Sequence, residues 1–290
     1  YQGRTTGTPL AALIRNADTR SADYARLAAT PRPGHADRAG AVRYGGFADP
    51  RGGGHFSGRL TAPLTLAGAL CREGLRPLGI RVVGHAAAIA GIADDPLFPD
   101  AGDMGRPAVD PEAWPGGRFP AILEAAGAAM EAAIGAARAA GDSVGGRVEA
   151  AVLGLPEGIG DPMFGGVESR AASLLFGIPG VKAVGFGLAE VFADVRGSFA
   201  NDAFHDTPQG LRPRTNHNGG LSGGITTGLP LVVTVTFRPT PSIAAPQETW
   251  NPEAGRMETL SVPGRHDPCL VPRAVPVVEA ALALLAMDLL

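Results

Sequence analysis

Lysine is almost missing from this chain. Of its 25 basic residues only Lys182 is lysine, and the rest are arginine. No G-x-x-x-x-G-K-[ST] phosphate loop exists, because Lys182 does not follow such a run. Cysteine is scarce too. Cys71 and Cys269 are the only two; they cannot make a tetrahedral thiolate zinc site, and nothing about them requires an oxidising compartment. Long apolar runs are lacking. The longest, near Val277–Leu290, is broken by Glu279 and Asp288 and is too short for an ordinary membrane span. The net charge of −3 lacks the basic excess of a nucleic-acid-binding protein. No signal peptide is visible, so the expectation is a soluble, cytoplasmic protein that engages neither membrane nor nucleic acid.

What is present points to an ordered fold. Apolar residues make up 45% and charged residues 18%, so a sizeable core is affordable. The 42 glycines and 26 prolines follow no collagen period and cluster between apolar runs. That pattern implies long, structured loops, where sites tend to sit. The arginine excess has a bland source in a GC-rich genome. Arginine's fork also matches carboxylate and phosphate, and several arginines lie in glycine-rich loops.

Thr8–Asn16 reads as a strand and Arg20–Gly58 as loop. Leu60–Leu75 has apolar residues at helical spacing, and a strand begins in Leu78–Ile92. Asp94–Gly117 is a Pro/Gly/Asp-rich connection. Pro120–Ala140 reads as a helix stopped by Gly141. Strands are expected at Val148–Leu155, at Val181–Ala193 with interruptions at Gly185 and Gly187, and at Leu229–Phe237, with a short helix at Val167–Phe176. Val275–Leu290 reads as a helix with Pro272 before it. No internal repeat or composition break marks a second domain, so residues 1–290 are expected to form one domain. Strands and helices do not alternate strictly, which favours α+β over a doubly wound sheet.

Two segments concentrate the chemistry. One runs from Thr215 to Gly228, T-N-H-N-G-G-L-S-G-G-I-T-T-G; the other is Gly264–Cys269, G-R-H-D-P-C. Gly220–Gly224 formally fits the G-x-S-x-G nucleophile elbow around Ser222. The elbow needs a strand before it, and the polar run Arg212–Gly219 stands there instead. The dinucleotide fingerprint fails for want of a strand–loop–helix frame. Of the six histidines, His85 and His205 read as structural. His35, His55, His217 and His266 lie in Gly- or Pro-bearing loops beside Arg, Asn or Asp, which suits an anionic substrate and proton transfer. No pair has the helical spacing of a zinc site, so no metal is expected. Arg59 and Arg265 are the arginines expected on phosphate.

Further motifs carry a resemblance. Gly3–Pro9 reads G-R-T-T-G-T-P, Asn16–Tyr24 reads N-A-D-T-R-S-A-D-Y, Arg32–Asp37 reads R-P-G-H-A-D and Arg265–Pro268 reads R-H-D-P. In combination and order, from Gly3 to about Leu290, these resemble chorismate synthase. The resemblance implies an α+β sandwich with helices packed between antiparallel sheets. It implies a 1,4-anti elimination of phosphate from 5-enolpyruvylshikimate 3-phosphate to give chorismate. Reduced FMN is needed without net redox, NADP is expected alongside it, and the assembly is a homotetramer. A flavin- or anion-binding homologue without catalysis is the alternative.

The resemblance also assigns residues. His35 matches the histidine expected to protonate the flavin, and Asp267 the aspartate thought to assist at flavin N5. Arg32, Ser57, Arg59 and Arg265 match positions near substrate. His55, Phe56, Ser57, Pro179, Gly180, Gly223, Arg238, Pro239, Thr240, Pro241, Ser242 and Arg265 match cofactor-binding positions. The family's G-G-G-R-S-S-A-R-E-T reads G-G-G-H-F-S-G-R-L-T over residues 52–61, so an arginine has become His55. The family's N-terminal G-E-S-H-G segment is not in the sequence, which begins at Tyr1. Its histidine is expected to protonate the departing phosphate, so the chain as it stands is expected to be poorly active.

Overall fold

The central strands carry apolar residues on both faces, so both faces of their sheet must be covered. The computed structural model describes residues 2, 4–15, 30–49, 51–98, 107–108, 119–208, 210–262 and 266–290. In chain order, helices α1 (Asp37–Arg43) and α2 (Thr61–Leu75) lead into strands β1 (Arg81–Ile89) and β2 (Ile92–Ala93). Then come α3 (Glu124–Ala139), β3 (Gly146–Leu153), α4 (Val167–Phe176), β4 (Val181–Phe186) and the one-turn α5 (Gly197–Ala200). Three hairpins and a strand follow: β5 (Phe204–Thr207) with β6 (Gly210–Pro213), β7 (Leu221–Ser222) with β8 (Ile225–Thr226), β9 (Leu231–Phe237), and β10 (Gln247–Asn251) with β11 (Arg256–Leu260). Helix α6 (Val271–Leu289) closes the chain.

The main sheet has the order β2-β1-β3-β9-β4, and every neighbouring pair is antiparallel. The two-residue period of a strand sorts its side chains onto two faces. Val82, Ala86, Val148, Ala150, Val152, Leu231, Val233 and Val235 join the larger core with α2, α4 and α6. The alternate positions Val83, Ala151, Leu153 and Val232 form a smaller cluster with Leu97, Phe98 and Ile122 on the other face. The fold is α+β, with helices against an antiparallel sheet.

Helix α6 is buried along most of its length, including Val278, Ala281, Leu282 and Leu285. Such a helix belongs inside. It crosses α2 at Gly68, where a Cβ would lie 2.3 Å from the Ala280 Cα. Only glycine allows that approach. Glu279 is the one charge buried on α6, and its Oε2 accepts a 2.7 Å bond from Arg72 Nη1. Burial pushes its carboxyl up, and the Arg72 charge pulls it partly back.

His85 is structural, as its sequence setting suggests. It faces Glu149 across β1 and β3. Its Nε2 lies 2.9 Å from Glu149 Oε2 and its Nδ1 3.1 Å from Asp94 Oδ2. The same carboxylates accept from the chain that covers this face. Glu149 takes Leu97 N at 2.7 Å, and Asp94 takes Ile122 N at 2.5 Å and Leu123 N at 3.0 Å. One buried cluster thus fastens the covering segment to the sheet.

Several expected elements change. Described residues 8–15 form no strand; Leu10 and Leu13 are 71% and 80% exposed, with no pairing partner among the described residues. The expected loop Arg20–Gly58 contains α1 and a 3-10 turn at Arg51–Phe56, and its residues 20–29 and 50 lie outside the described part. The expected strand Val181–Ala193 ends at Phe186, because Gly187 turns the chain at φ 55° into a 3-10 turn, Ala189–Ala193. Helix α3 starts at Glu124 rather than Pro120. Helix α6 starts at Val271, and Pro272 sits within its first turn, where its missing N–H loses nothing. Much of the expected connection Asp94–Gly117 lies outside the described residues. Among the described residues no helix is long and apolar enough to cross a membrane.

Replacing His85 by leucine leaves Glu149 and Asp94 facing an apolar group. The expected cost is about 3 kcal/mol, the scale for breaking a buried charged pair. Urea unfolding measures it, and a cost near zero would mean that the cluster does not hold the sheet cover.

Candidate active site

The Arg32–Asp37 stretch folds back on itself because its own side chains satisfy it. Asp37 opens α1, where the helix N-terminus favours a negative charge. It accepts from Arg32 three times: backbone N at 3.0 Å, Nε at 2.8 Å and Nη2 at 2.8 Å. His35 Nδ1 lies 2.6 Å from Asp37 Oδ1. Burial raises the Asp37 carboxyl, but the bonds from Arg32 and His35 and the Arg32 charge outweigh it. The group is held well below the usual carboxylate range.

The stretch is then tied to a distant one. Arg32 Nη1 donates to Ser242 Oγ at 3.0 Å. Arg238 Nη1 donates to the Gly34 carbonyl, and its Nε reaches the Pro239 carbonyl at 3.2 Å. Thr249 donates its hydroxyl to the Pro31 carbonyl. R-P-G-H-A-D and R-P-T-P-S therefore form one wall, although about 200 residues separate Gly34 from Arg238.

This wall borders a cavity of about 770 Å³. The glycine-rich turn supplies a second side through His55, Phe56, Ser57 and Arg59. Ser57 Oγ caps the short turn that follows, accepting from Arg59 N at 3.2 Å. The Phe56 ring packs over Gly40 of α1, and the His55 ring lies 6.3 Å from that of Tyr44. The chain between α4 and β4 adds Ile178, Pro179, Gly180 and Lys182. Asp267 and the start of α6 complete the lining, with Leu270, Arg273 and Val277. Arg273 Nη1 lies 2.9 Å from Asp267 Oδ2.

Thus His35, Asp267, Arg32, His55, Phe56, Ser57, Arg59, Pro179, Gly180, Arg238, Thr240, Pro241 and Ser242 share one cavity, with His266 beside them. Pro239 flanks the lining without entering it. Arg265 lies outside the described residues. Gly223 is elsewhere, at the β7–β8 turn, where it and Gly224 take φ of 62° and 90°. Ser222 is exposed on that hairpin rather than at a strand-to-helix elbow. His217 does not line the cavity. Asp202 holds its loop, accepting from Thr215 Oγ1, His217 N and both nitrogens of Asn218. His217 Nδ1 bonds the Phe199 carbonyl at 2.8 Å, and the two rings stack at 4.7 Å.

Sequence reading missed Lys182 and Arg273. Lys182 had one available signal, its standing as the sole lysine. Arg273 had none, since only the start of α6 brings it beside Asp267. Among the described residues no group of three His, Cys, Asp or Glu side chains is arranged to hold a metal.

Comparison with known proteins accords with this geometry. A family model described as "Chorismate synthase" matches residues 1–290. The chain belongs to the chorismate synthase family. A chorismate synthase of Thermococcus kodakarensis is 44% identical over 301 residues, covering 99% of this chain and 78% of that protein. One from Korarchaeum cryptofilum is 43% identical, with 99% and 78% covered. One from Dehalococcoides mccartyi is 41% identical, with 100% and 77% covered. A crystal structure of chorismate synthase superposes with a TM-score of 0.69 at 24% identity, covering 87% of this chain and 70% of that one, and so supports the fold. The family relation makes this chain a carbon–oxygen lyase that releases phosphate.

Asp37 gives a pH signature. Its folded pKa lies below its ordinary value of 3.8, so its contribution to stability is present above that pH and fades as pH falls through it. Urea midpoints are expected to drop between about pH 5 and pH 2.5. Asp37→Asn should make that drop shallower. Some slope remains, because Asp202 is shifted the same way. An unchanged slope in the variant would refute the assigned bonds.

Proposed function

We propose that this cavity converts 5-enolpyruvylshikimate 3-phosphate to chorismate and phosphate with reduced FMN as cofactor. The observation that carries the reading is the meeting in one cavity of His35, Asp267, five cationic side chains and an apolar wall. The cavity lies within the roughly 300–1,000 Å³ range of ligand sites. Ile178, Phe237, Leu270 and Val277 offer a surface for a planar ring. Thr240 Oγ1 is shielded from solvent and has no hydrogen-bond partner among the described residues, which suits it to a polar atom of a ligand. Gly180, at φ 93°, brings backbone into the lining. These residues fit a flavin, and Arg238, Thr240, Ser242 and the Pro179–Gly180 backbone would hold it.

When bound, reduced FMN would supply transient electron density and an acceptor for the proton lost from substrate C6. The chain's part is binding and proton placement. Arg59, Lys182, Arg238 and Arg273 match a substrate with two carboxylates and a phosphate. Arg32 is a support rather than a clamp, since Nε, Nη1 and Nη2 are all engaged by Asp37 and Ser242. On this reading His35 would donate a proton toward the cofactor, with Asp267 in the same lining assisting. A single domain, a homotetramer and a cytoplasmic setting go with this reading.

Two outcomes test it. His35→Ala should lower anaerobic chorismate formation by about 10²–10⁴-fold, the usual worth of acid–base help. Thr240→Val should weaken FMN binding by about tenfold, or about 1.4 kcal/mol, read from flavin fluorescence. Unchanged turnover in the first variant would remove His35 from the reaction.

A further inference from the structure

We propose that Asp37 is a positioning residue that sets the tautomer of His35 and braces Arg32 against it. Ionised Asp37 only accepts. Its four bonds are three from Arg32 and one from His35 Nδ1, the last at 2.6 Å. The hydrogen on that bond must come from the ring, so Nδ1 carries it. The neutral ring then keeps its lone pair at Nε2, and the charged ring offers Nε2–H. Every proton His35 exchanges therefore passes through Nε2.

The surroundings of the ring fit this assignment. A Cβ placed on Gly53 would lie 3.9 Å from Nε2, so the glycine-rich turn stands beside that atom without a side chain in the way. Arg32 Nη2 lies 3.0 Å from Nδ1 and 3.3 Å from Nε2. A point so near both nitrogens lies over the ring face, not along either lone pair. The guanidinium covers one face of the imidazole while Asp37 holds its edge. Arg32 also reaches Ser242, so the same carboxylate registers His35 against the R-P-T-P-S wall. Nothing in the family motif alone separates this duty from an ordinary helix-start aspartate.

Asparagine at position 37 keeps the size but can donate its amide to Nδ1. The ring then carries its proton on Nε2, and Arg32 loses its counter-charge. The kinetic part of the inference rests on the flavin-dependent reading above, and the tautomer part does not.

The test uses the protein with ¹⁵N-labelled histidine. Long-range ¹H–¹⁵N spectra of the wild type, without flavin, should show neutral His35 as the Nδ1–H form. An Nε2–H form overturns the proposal, whether or not any variant folds. Asp37→Asn should switch the tautomer and lower kcat on the order of 10²-fold. Substrate KM and FMN binding should change little. His35→Ala runs in parallel. If His35→Ala abolishes turnover while Asp37→Asn keeps wild-type kcat and tautomer, Asp37 is not the positioning group and the proposal fails. If His35→Ala itself leaves turnover intact, the functional reading fails, and the tautomer measurement still decides the role of Asp37.

Discussion

Helix α6 is apolar on almost every side, so it is stable only where other elements cover all of it. The sheet covers one side through β1 and β3, and α2 and α4 cover the others. Leu282 and Leu285 are fully buried there, and each such side chain contributes roughly 1.5–3 kcal/mol. The close crossing at Gly68 and Ala280 sets how near α2 can come. Glu279 would be a costly buried charge without Arg72, which makes the helix pair specific as well as tight.

That packing also builds the site. The start of α6 supplies Leu270, Arg273 and Val277 to the cavity, and the end of β9 leads into Arg238 and Thr240. Arg238, Thr240 and Arg273 therefore sit on or next to two well-buried elements, β9 and α6, where small displacements are resisted by close packing. The Arg32–Asp37 wall, like the glycine-rich turn, is part of neither the sheet nor α6. It is held instead by charge and hydrogen bonds, through Asp37 within the stretch and through Ser242, Arg238 and Thr249 outside it.

The charge balance of the cavity follows from the same contacts. Asp37 pairs with Arg32, whose side-chain nitrogens are engaged by Asp37 and Ser242. Asp267 faces Arg273 across a more open contact, with the arginine side chain 78% exposed and screened by solvent. Arg238 donates to the Gly34 and Pro239 carbonyls rather than to a carboxylate there. The cavity is thus positive overall, although the chain carries a net charge of −3.

The sequence by itself determined the elements whose physics is local. Strand β9 alternates apolar residues in a seven-residue run, and α4 was legible to the residue because its apolar spacing matches a helix turn. It also determined which short motifs gather chemistry, since R-P-G-H-A-D and R-P-T-P-S concentrate charge and backbone constraints. The hairpins β5–β6 and β10–β11 were not legible, because their polar strands lack an alternating pattern. Gly185 and Gly187 marked an interruption of the strand, but not that the strand would end at Phe186 and give way to a turn. Tertiary structure alone decided that His85 lies between two carboxylates, that His217 leaves the site to stack on Phe199, and that Lys182 and Arg273 join it. Those outcomes depend on which distant residues meet, and the meeting is settled by burial of α6 and the sheet rather than by any neighbour in the chain.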